Sequence, residues 1–294
     1  MSDVLVILDG ASEPVVDEEP TSLERADTPV LDALAQGGTV RRLRTTPEGL
    51  AAGSETGIAV LLGWTPPAPV DRAALEAAGR GIELGGRPAR RVDGLTAVPA
   101  GAEVHRLTDR AALVIGEGEP EGARVWPEGI VPPRILDADI VFIAAPGAAA
   151  GLAALLGARV ARDGAVAEIE AGTPRVVVHV PGADDAAHRL DPDAKVAALS
   201  AADEQVLAPI AAAVLTHGGR LTVAPDHGTD PRTGLHDDAP VPAVVWEQGA
   251  IEDELPDDED LPVLAMPKRR ATASATTGRR MTERWVAELP VERP

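Results

Sequence analysis

The sequence predicts an α/β fold: a mostly parallel sheet sandwiched by helices, with a reduced inserted domain near the middle of the chain. Three observations predict it. Short, β-branched apolar runs alternate with helical segments along the chain. Several of those runs stop at an acidic residue. Between about Trp64 and Leu136 the regular pattern lapses, and Pro and Gly accumulate in "TPPAPV", "GGRPARR" and "GEGEPEGARVWPEGIVPP".

The first strand is "VLVILDG", residues 4 to 10, which reads as a buried parallel strand with Asp9 at its carboxyl end. In open α/β sheets that end is where ligands bind. "SLERADTPVLDALAQGG" gives a helix with Thr28 as N-cap, Pro29 in the first helical position and Gly37-Gly38 as the stop. Residues 54 to 63 form a second helix. Residues 67–136 are read as the inserted cap, with 1–66 and 137–294 as the core.

Regular structure resumes with the strand "DIVFIAAPG" and the helix "AAAGLAALLGA". The strand "RVVVHV" leads into a loop, "PGADDAAHRLD", and then a long amphipathic helix at about 193 to 216. "RLTVAPDHG" is another strand running into an acid, and "VPAVVW" is the last clear one. "EQGAIEDELPDDEDLP" reads as a solvated acidic loop, and "PKRRATASATTGRR", before a final helix, as a basic surface turn or an anion patch.

Composition narrows the function. A chain of 294 residues with 45% hydrophobic content has ample material for a core, yet only 2% is aromatic. The core is therefore Ala, Val, Leu and Ile, and aromatic platforms for stacking bases are scarce. A formal net charge of -20 repels a phosphate backbone, which argues against nucleic acid as a partner. A small anionic ligand in this field needs bound cations or a local Arg cluster. The absence of cysteine excludes disulfides, thiolate sites and iron–sulfur clusters. "MSDVLVILDG" has no basic region followed by a long apolar one, and no run approaches a membrane span. The expectation is a cytoplasmic protein with no membrane partner.

The chemistry-bearing residues collect after strands: Asp9; Asp184 and His188; and Asp226, His227 and His236. Singly, Asp9 reads as a turn cap and Asp184 and Asp185 as helix caps. Jointly these segments supply three carboxylates and three imidazoles, the ligand chemistry of two divalent cations such as zinc or manganese. If the "PGADDAAH" loop holds a helical turn, Asp184 and His188 share a face.

Ser54, in "AAGSETG", has two readings. Gly-Ser at a helix start directs free N–H groups at an anion, but Ser is also an ordinary N-cap. Position 57 is Gly, so the reciprocal capping box is absent. Two cations clamp a phosphoryl group and hold a serine oxygen as an alkoxide, which also answers the charge problem.

Together these segments resemble the alkaline phosphatase superfamily, and within it the cofactor-independent (2,3-bisphosphoglycerate-independent) phosphoglycerate mutases of the archaeal type. The resemblance is carried by "ILDG", "ADTPVLDALAQGG", "PEGLAAGSETGIAVLLGW", "DRAALEAAGRGIEL", "VVVHVPGADDAAHRLDPDAKVAAL" and "APDHGTDPRTGLHDDAPVPAVV". It implies an alkaline-phosphatase-like fold with two divalent metal ions, Mn2+ first, with Zn2+ or Mg2+ also fitting. One is held by Asp184, His188 and His236, the other by Asp9, Asp226, His227 and the Ser54 oxygen. It implies Ser54 as the nucleophile, a phosphoserine intermediate, and a small phosphorylated acid as substrate, with interconversion of 3-phosphoglycerate and 2-phosphoglycerate as the reaction.

This sequence departs from the pattern near the substrate: Glu55 replaces Asp, Pro225 replaces Gly, Gly228 replaces Ser, and no Lys precedes His236. The cap is also short. Arg72 and Arg91 fall where the family has cap-entry arginines and are the candidate substrate contacts, with His105 as a candidate cap acid or base. A phosphomonoester hydrolase using the same residues is the alternative, and a non-catalytic metal-binding homologue the second alternative.

Overall fold

The computed structural model describes residues 1–16, 19–118, 120–121 and 123–247. The acidic and basic segments and the final helix read near the carboxyl end lie outside the described residues.

The chain opens with β1 (Ser2–Leu8), α1 (Ser22–Arg25), α2 (Pro29–Gly37), β2 (Thr39–Leu43) and α3 (Ser54–Leu61). Next come α4 (Arg72–Arg80) and four short strands: β3 (Ala89–Asp93), β4 (Glu103–Arg106), β5 (Ala111–Ile115) and β6 (Arg124–Val125). They are followed by β7 (Ile140–Ile143), α5 (Ala148–Leu156), β8 (Arg159–Ala161), α6 (Ala165–Glu170), β9 (Arg175–Val180) and α7 (Gly182–His188). The described part ends with α8 (Pro192–Ala202), a π-helical turn (Asp203–Leu207), α9 (Ala208–His217), β10 (Gly219–Ala224), β11 (Gly228–Thr229), β12 (His236–Asp237) and β13 (Val241–Glu247).

Seven strands form the main sheet in the order β2-β13-β10-β1-β9-β7-β8. Strand β13 is antiparallel to both of its neighbours and β1, β7, β8, β9 and β10 are parallel, so β13 alone runs against the rest. β1 is central and reads as an unbroken apolar run because both of its faces are covered. Val4, Val6 and Leu8 enter a core with α2, α6, α8 and α9, whereas Leu5 and Ile7 enter a second core with α3, α4 and α5. Alternation along one strand thus builds both layers. Register aligns Ile7 with Ala224 and Leu8 with Val180, so the carboxyl ends of β1, β10 and β9 meet at one edge.

The sequence signals around α2 need correction. Thr28 occupies the N-cap position, but its side chain makes no capping hydrogen bond. Instead the buried Asp203, in the π-helical turn, accepts hydrogen bonds from the Val30 and Leu31 N–H groups at 3.0 and 2.8 Å. The turn itself is explained by Pro209, which lacks an N–H and cannot continue a regular ladder. Asp203→Ala is expected to cost about 1–2 kcal/mol in denaturant unfolding, the usual loss for a cap, with turnover unchanged. An unaltered unfolding midpoint would show that water replaces the carboxylate.

The segment Pro192–His217 is long and apolar enough to match a membrane span, contrary to the sequence expectation. Its residues Leu199, Leu207, Ile210 and Val214 are buried in the first core.

The insertion also contains more order than its sequence suggests. Its strands form an antiparallel sheet in the order β4-β5-β3-β6. All five residues of β5 are buried, with Leu113 and Ile115 packing on Ala73 and Ala77 of α4, and Ala112 and Val114 on Val92 and Leu95. α4 in turn lies directly on α5. A Cβ at Gly79 would collide with the Gly147 carbonyl oxygen, and one at Gly151 with that of Leu75.

Candidate metal centre

The shared sheet edge brings distant side chains together because the loops beyond it are pinned to one another. Asp9 N–H donates to the Val180 carbonyl at 3.0 Å and Asp184 N–H to the Asp9 carbonyl at 3.1 Å. Gly10 N–H donates to Asp226 Oδ1 at 3.1 Å. What the sequence reads as a loop after β9 is α7, so Asp184 and His188 stand one helical turn apart and their side chains meet at 3.2 Å.

Ser54 is the first residue of α3, whose N-cap is Gly53, with no side-chain cap. Its hydroxyl lies 3.3 and 3.4 Å from the Asp9 oxygens and 3.3 Å from His227 Nε2. The capping reading of Ser54 is therefore not what the structure shows. Gly57, one turn on, lets α3 touch the backbone of Asp226, where a Cβ would overlap the carbonyl oxygen.

Three overlapping sets of ligand atoms each lie within 4.8 Å of one another: Asp184, His188 and His236; Asp9, Asp184 and His227; and Asp9, His179 and Asp226. In the first, His188 and His236 face each other through Nε2 at 3.0 Å. His236 Nδ1 donates to the Ala52 carbonyl at 3.0 Å, which leaves Nε2 with its lone pair in the neutral ring. His227 Nδ1 likewise donates to the Gly228 carbonyl at 3.1 Å, turning Nε2 toward Asp9. The first set opens to solvent at His188, whereas Asp9, Asp226 and His227 are buried.

Asp226 Oδ2 is buried with no hydrogen-bond partner. A fully buried carboxylate oxygen without a donor is costly, and with Asp9 and the His179 ring gathered within ligand distance it fits a cation. The clustered carboxylates and imidazoles also shift one another's ionisation. Burial, then the charge of Asp9, raises Asp226 to about 7. Burial disfavours the His227 cation, but Asp226 and Asp9 outweigh it and raise that group to about 10. Burial opposes ionisation of Asp9, yet His179 and His227 hold it well below the usual carboxylate range. Burial and the His227 charge lower His236.

Below pH 10 a cation must therefore displace at least the His227 proton, so apparent affinity rises as pH rises. Mn2+ affinity is expected to increase by about tenfold per pH unit from about pH 7 to 8 and more steeply below about pH 7, where Asp226 must give up a proton as well, with proton release seen by calorimetry in buffers of different ionisation enthalpy. A pH-independent affinity would show that His227 is not a ligand.

All seven residues read from the sequence as nucleophile or ligands converge here. His179 was missed. It closes the apolar run "RVVVHV", bonds Asp9 Oδ2 at 2.8 Å and is nearly buried. A lone imidazole at the ligand-binding end of an apolar strand was the available signal.

Of the cap candidates, Arg72 is the one tied to the helix that carries Ser54. Arg72 pairs with Glu55, the residue after Ser54, at 2.5 Å, and with Glu76 at 3.5 Å. Arg91 pairs with Asp93 at 3.2 Å and lies over the Trp126 ring at 4.2 Å. A cavity of about 260 Å³ is lined by Asp71, Arg90, Arg91, Trp126 and Glu128 among others. His105 bonds Glu103 on its own strand, at 2.7 Å, and belongs to none of the three ligand sets.

A family model described as the Metalloenzyme superfamily matches residues 1–266. The chain belongs to the Metalloenzyme superfamily. Curated relatives of this superfamily member include 2,3-bisphosphoglycerate-independent phosphoglycerate mutase 2 of Methanothermobacter thermautotrophicus, 40% identical over 88 residues. Another is a probable 2,3-bisphosphoglycerate-independent phosphoglycerate mutase of Thermus thermophilus, 36% identical over 145 residues. The matches cover 29% and 47% of this chain but 22% and 34% of the relatives, so the chain aligns with well under half of their length.

Among solved structures, a protein from Pyrococcus horikoshii aligns with a TM-score of 0.67 and 22% identity, covering 84% of this chain and 86% of its own. The cofactor-independent phosphoglycerate mutase from Thermoplasma acidophilum aligns with a TM-score of 0.53 and 17% identity, covering 88% and 92%. At these identities the shared property is the fold.

Proposed function

We propose that the protein is a metal-dependent phosphomutase that moves a phosphoryl group through Ser54 on a small phosphorylated acid, interconverting 3-phosphoglycerate and 2-phosphoglycerate or a related pair. The observation that carries the proposal is the Ser54 hydroxyl, 3.3 Å from both Asp9 and His227 within the ligand cluster. The named relatives support the substrate class.

In this reading Asp184, His188 and His236 hold one divalent ion. Asp9, Asp226 and His227 hold a second next to Ser54 Oγ, with Mn2+ the first choice. Bound there, such ions supply Lewis-acid stabilisation of the phosphoryl oxygens and favour the serine alkoxide.

The chain's own residues do the rest. Asp9 and His227 orient Ser54 Oγ, whose proton is lost to solvent, and the departing ester oxygen takes one up from solvent. Oγ forms a bond to phosphorus as the ester oxygen leaves, giving phosphoserine and an alcohol. The alcohol, held under residues 67–136 by Arg72 and Arg91, takes the phosphoryl group back on its other hydroxyl and frees Ser54.

A second reading, phosphomonoester hydrolase, is favoured by charge balance at the cap. Arg72 is matched by Glu55 and Glu76, and Arg91 by Asp93, which weakens retention of an anionic intermediate. The full chain, loaded with Mn2+ and given 3-phosphoglycerate, separates the two. 2-Phosphoglycerate without free phosphate supports the mutase, phosphate alone supports the hydrolase, and neither product rejects this substrate.

A further inference from the structure

Only two of the 27 basic residues are lysines, Lys195 and Lys268. All the other basic residues are arginines, yet the lysine among the described residues is completely buried. It stands on α8, on the side of the metal centre away from Ser54's helix, and none of the steps above uses it.

Its ammonium has two carbonyl acceptors and one carboxylate beside it. Lys195 Nζ donates to the Thr229 carbonyl at 2.6 Å and the Ser12 carbonyl at 3.1 Å, and pairs with Glu13 at 2.8 Å. A compact ammonium directs three donors at separate groups around one point, which a larger planar guanidinium cannot do in a closed site. Each acceptor is itself tied down. Glu13 accepts from the Ser22 N–H at 2.7 Å, at the start of α1. The Ser12 carbonyl also accepts from Thr229 N–H at 2.8 Å.

Those partners lie on the two loops that carry the candidate ligands. Ser12 and Glu13 follow Asp9 beyond β1, and Thr229 follows Asp226 and His227 beyond β10. Thr229 then reaches the centre directly. Its hydroxyl donates to Asp184 Oδ1 at 2.7 Å and lies 3.2 Å from His227 Nδ1. One ammonium therefore fixes the backbone of the residue whose side chain touches members of different ligand sets.

We infer that Lys195 is a positioning residue for the metal centre, clamping the β1 and β10 loops so that Thr229 holds Asp184 and His227 in ligating orientation. The inference rests on the proposed metal reading. Burying an ammonium is expensive even when paired, and an apolar side chain of similar volume is often as stable. A role in orienting ligands accounts for a charge that folding alone does not require.

The test is Mn2+ binding to the full chain, measured by equilibrium dialysis with metal analysis, alongside thermal unfolding. K195M is expected to weaken Mn2+ binding about 10–100-fold, the usual range for groups that orient ligands. K195M also leaves Glu13 buried without its cation, so E13Q/K195M is measured as well. The double variant is expected to regain thermal stability over K195M while its Mn2+ affinity stays low.

R220M serves as the structural control, since it breaks the pair with Asp3 at the far end of β1 and β10. It is expected to lower the melting temperature with Mn2+ affinity unchanged. Wild-type affinity in E13Q/K195M, or an equal loss in R220M, overturns the positioning role alone. Failure of the unsubstituted chain to bind Mn2+ overturns the metal reading and this inference with it.

Discussion

Ser54→Ala is expected to lower phosphoryl transfer by about 10³-fold or more, because the proposed route has no other oxygen to receive the group. The hydroxyl touches Asp9 and His227 but caps no helix end, so its removal leaves α3 intact. Mn2+ binding through Asp184, His188 and His236 should persist, since none of these bonds Ser54. Incubation with phosphorylated substrate should also cease to leave a covalent phosphate on the chain, which mass spectrometry of the intact protein reads directly. Turnover within tenfold of wild type would reject Ser54 as nucleophile and favour direct attack by water. An unchanged biological role with turnover lost would favour the non-catalytic alternative.

Gly57→Ala is the second large effect, and here two forces predict opposite signs. Helix propensity alone makes alanine better than glycine by about 1 kcal/mol. The added methyl, however, would overlap the Asp226 carbonyl oxygen and crowd its carbonyl carbon, and backbone cannot rotate away as a side chain can. Overpacking of this kind costs about 1–3 kcal/mol, which exceeds the propensity gain. The collision also drives α3 away from the β10 loop, separating Ser54 from His227. A displacement near 1 Å is enough for about a 10²-fold loss of turnover. The expected result is therefore a lower unfolding midpoint together with that loss. A more stable, fully active variant would show that the α3–Asp226 contact is looser than it stands.

The sequence was most legible where one strand or loop carried its own signal. β1 announced itself as an unbroken apolar run ending at Asp9, and the order of Asp and His residues after strands foreshadowed the cluster. Elsewhere the deciding contact lies far along the chain. Asp203, not Thr28, caps α2 across 173 residues of sequence. His179 passed as a strand residue because its role depends on β1 pairing beside it. Within the insertion, strands as short as β6 alternate too briefly to show a period, yet β5 is wholly buried once α4 and β3 close over it. Arg72 could be picked out by position, but its neutralisation by Glu55 and Glu76 required the fold.

The glycine contact between α4 and α5 has a consequence for motion. Helices whose backbones touch at Gly79 and Gly151 have no side-chain layer to slide on, so α4 is fixed to the core, and the small sheet is fixed in turn to α4 through Leu113 and Ile115. The return path is fastened as well, where Val70 pairs with Ile130 and Ile130 N–H donates to the Pro69 carbonyl at 2.8 Å. Arg72 on α4 and Arg91 on β3 both lie over the Trp126 ring and beside Glu76, so the same contacts set the spacing of the two candidate substrate arginines.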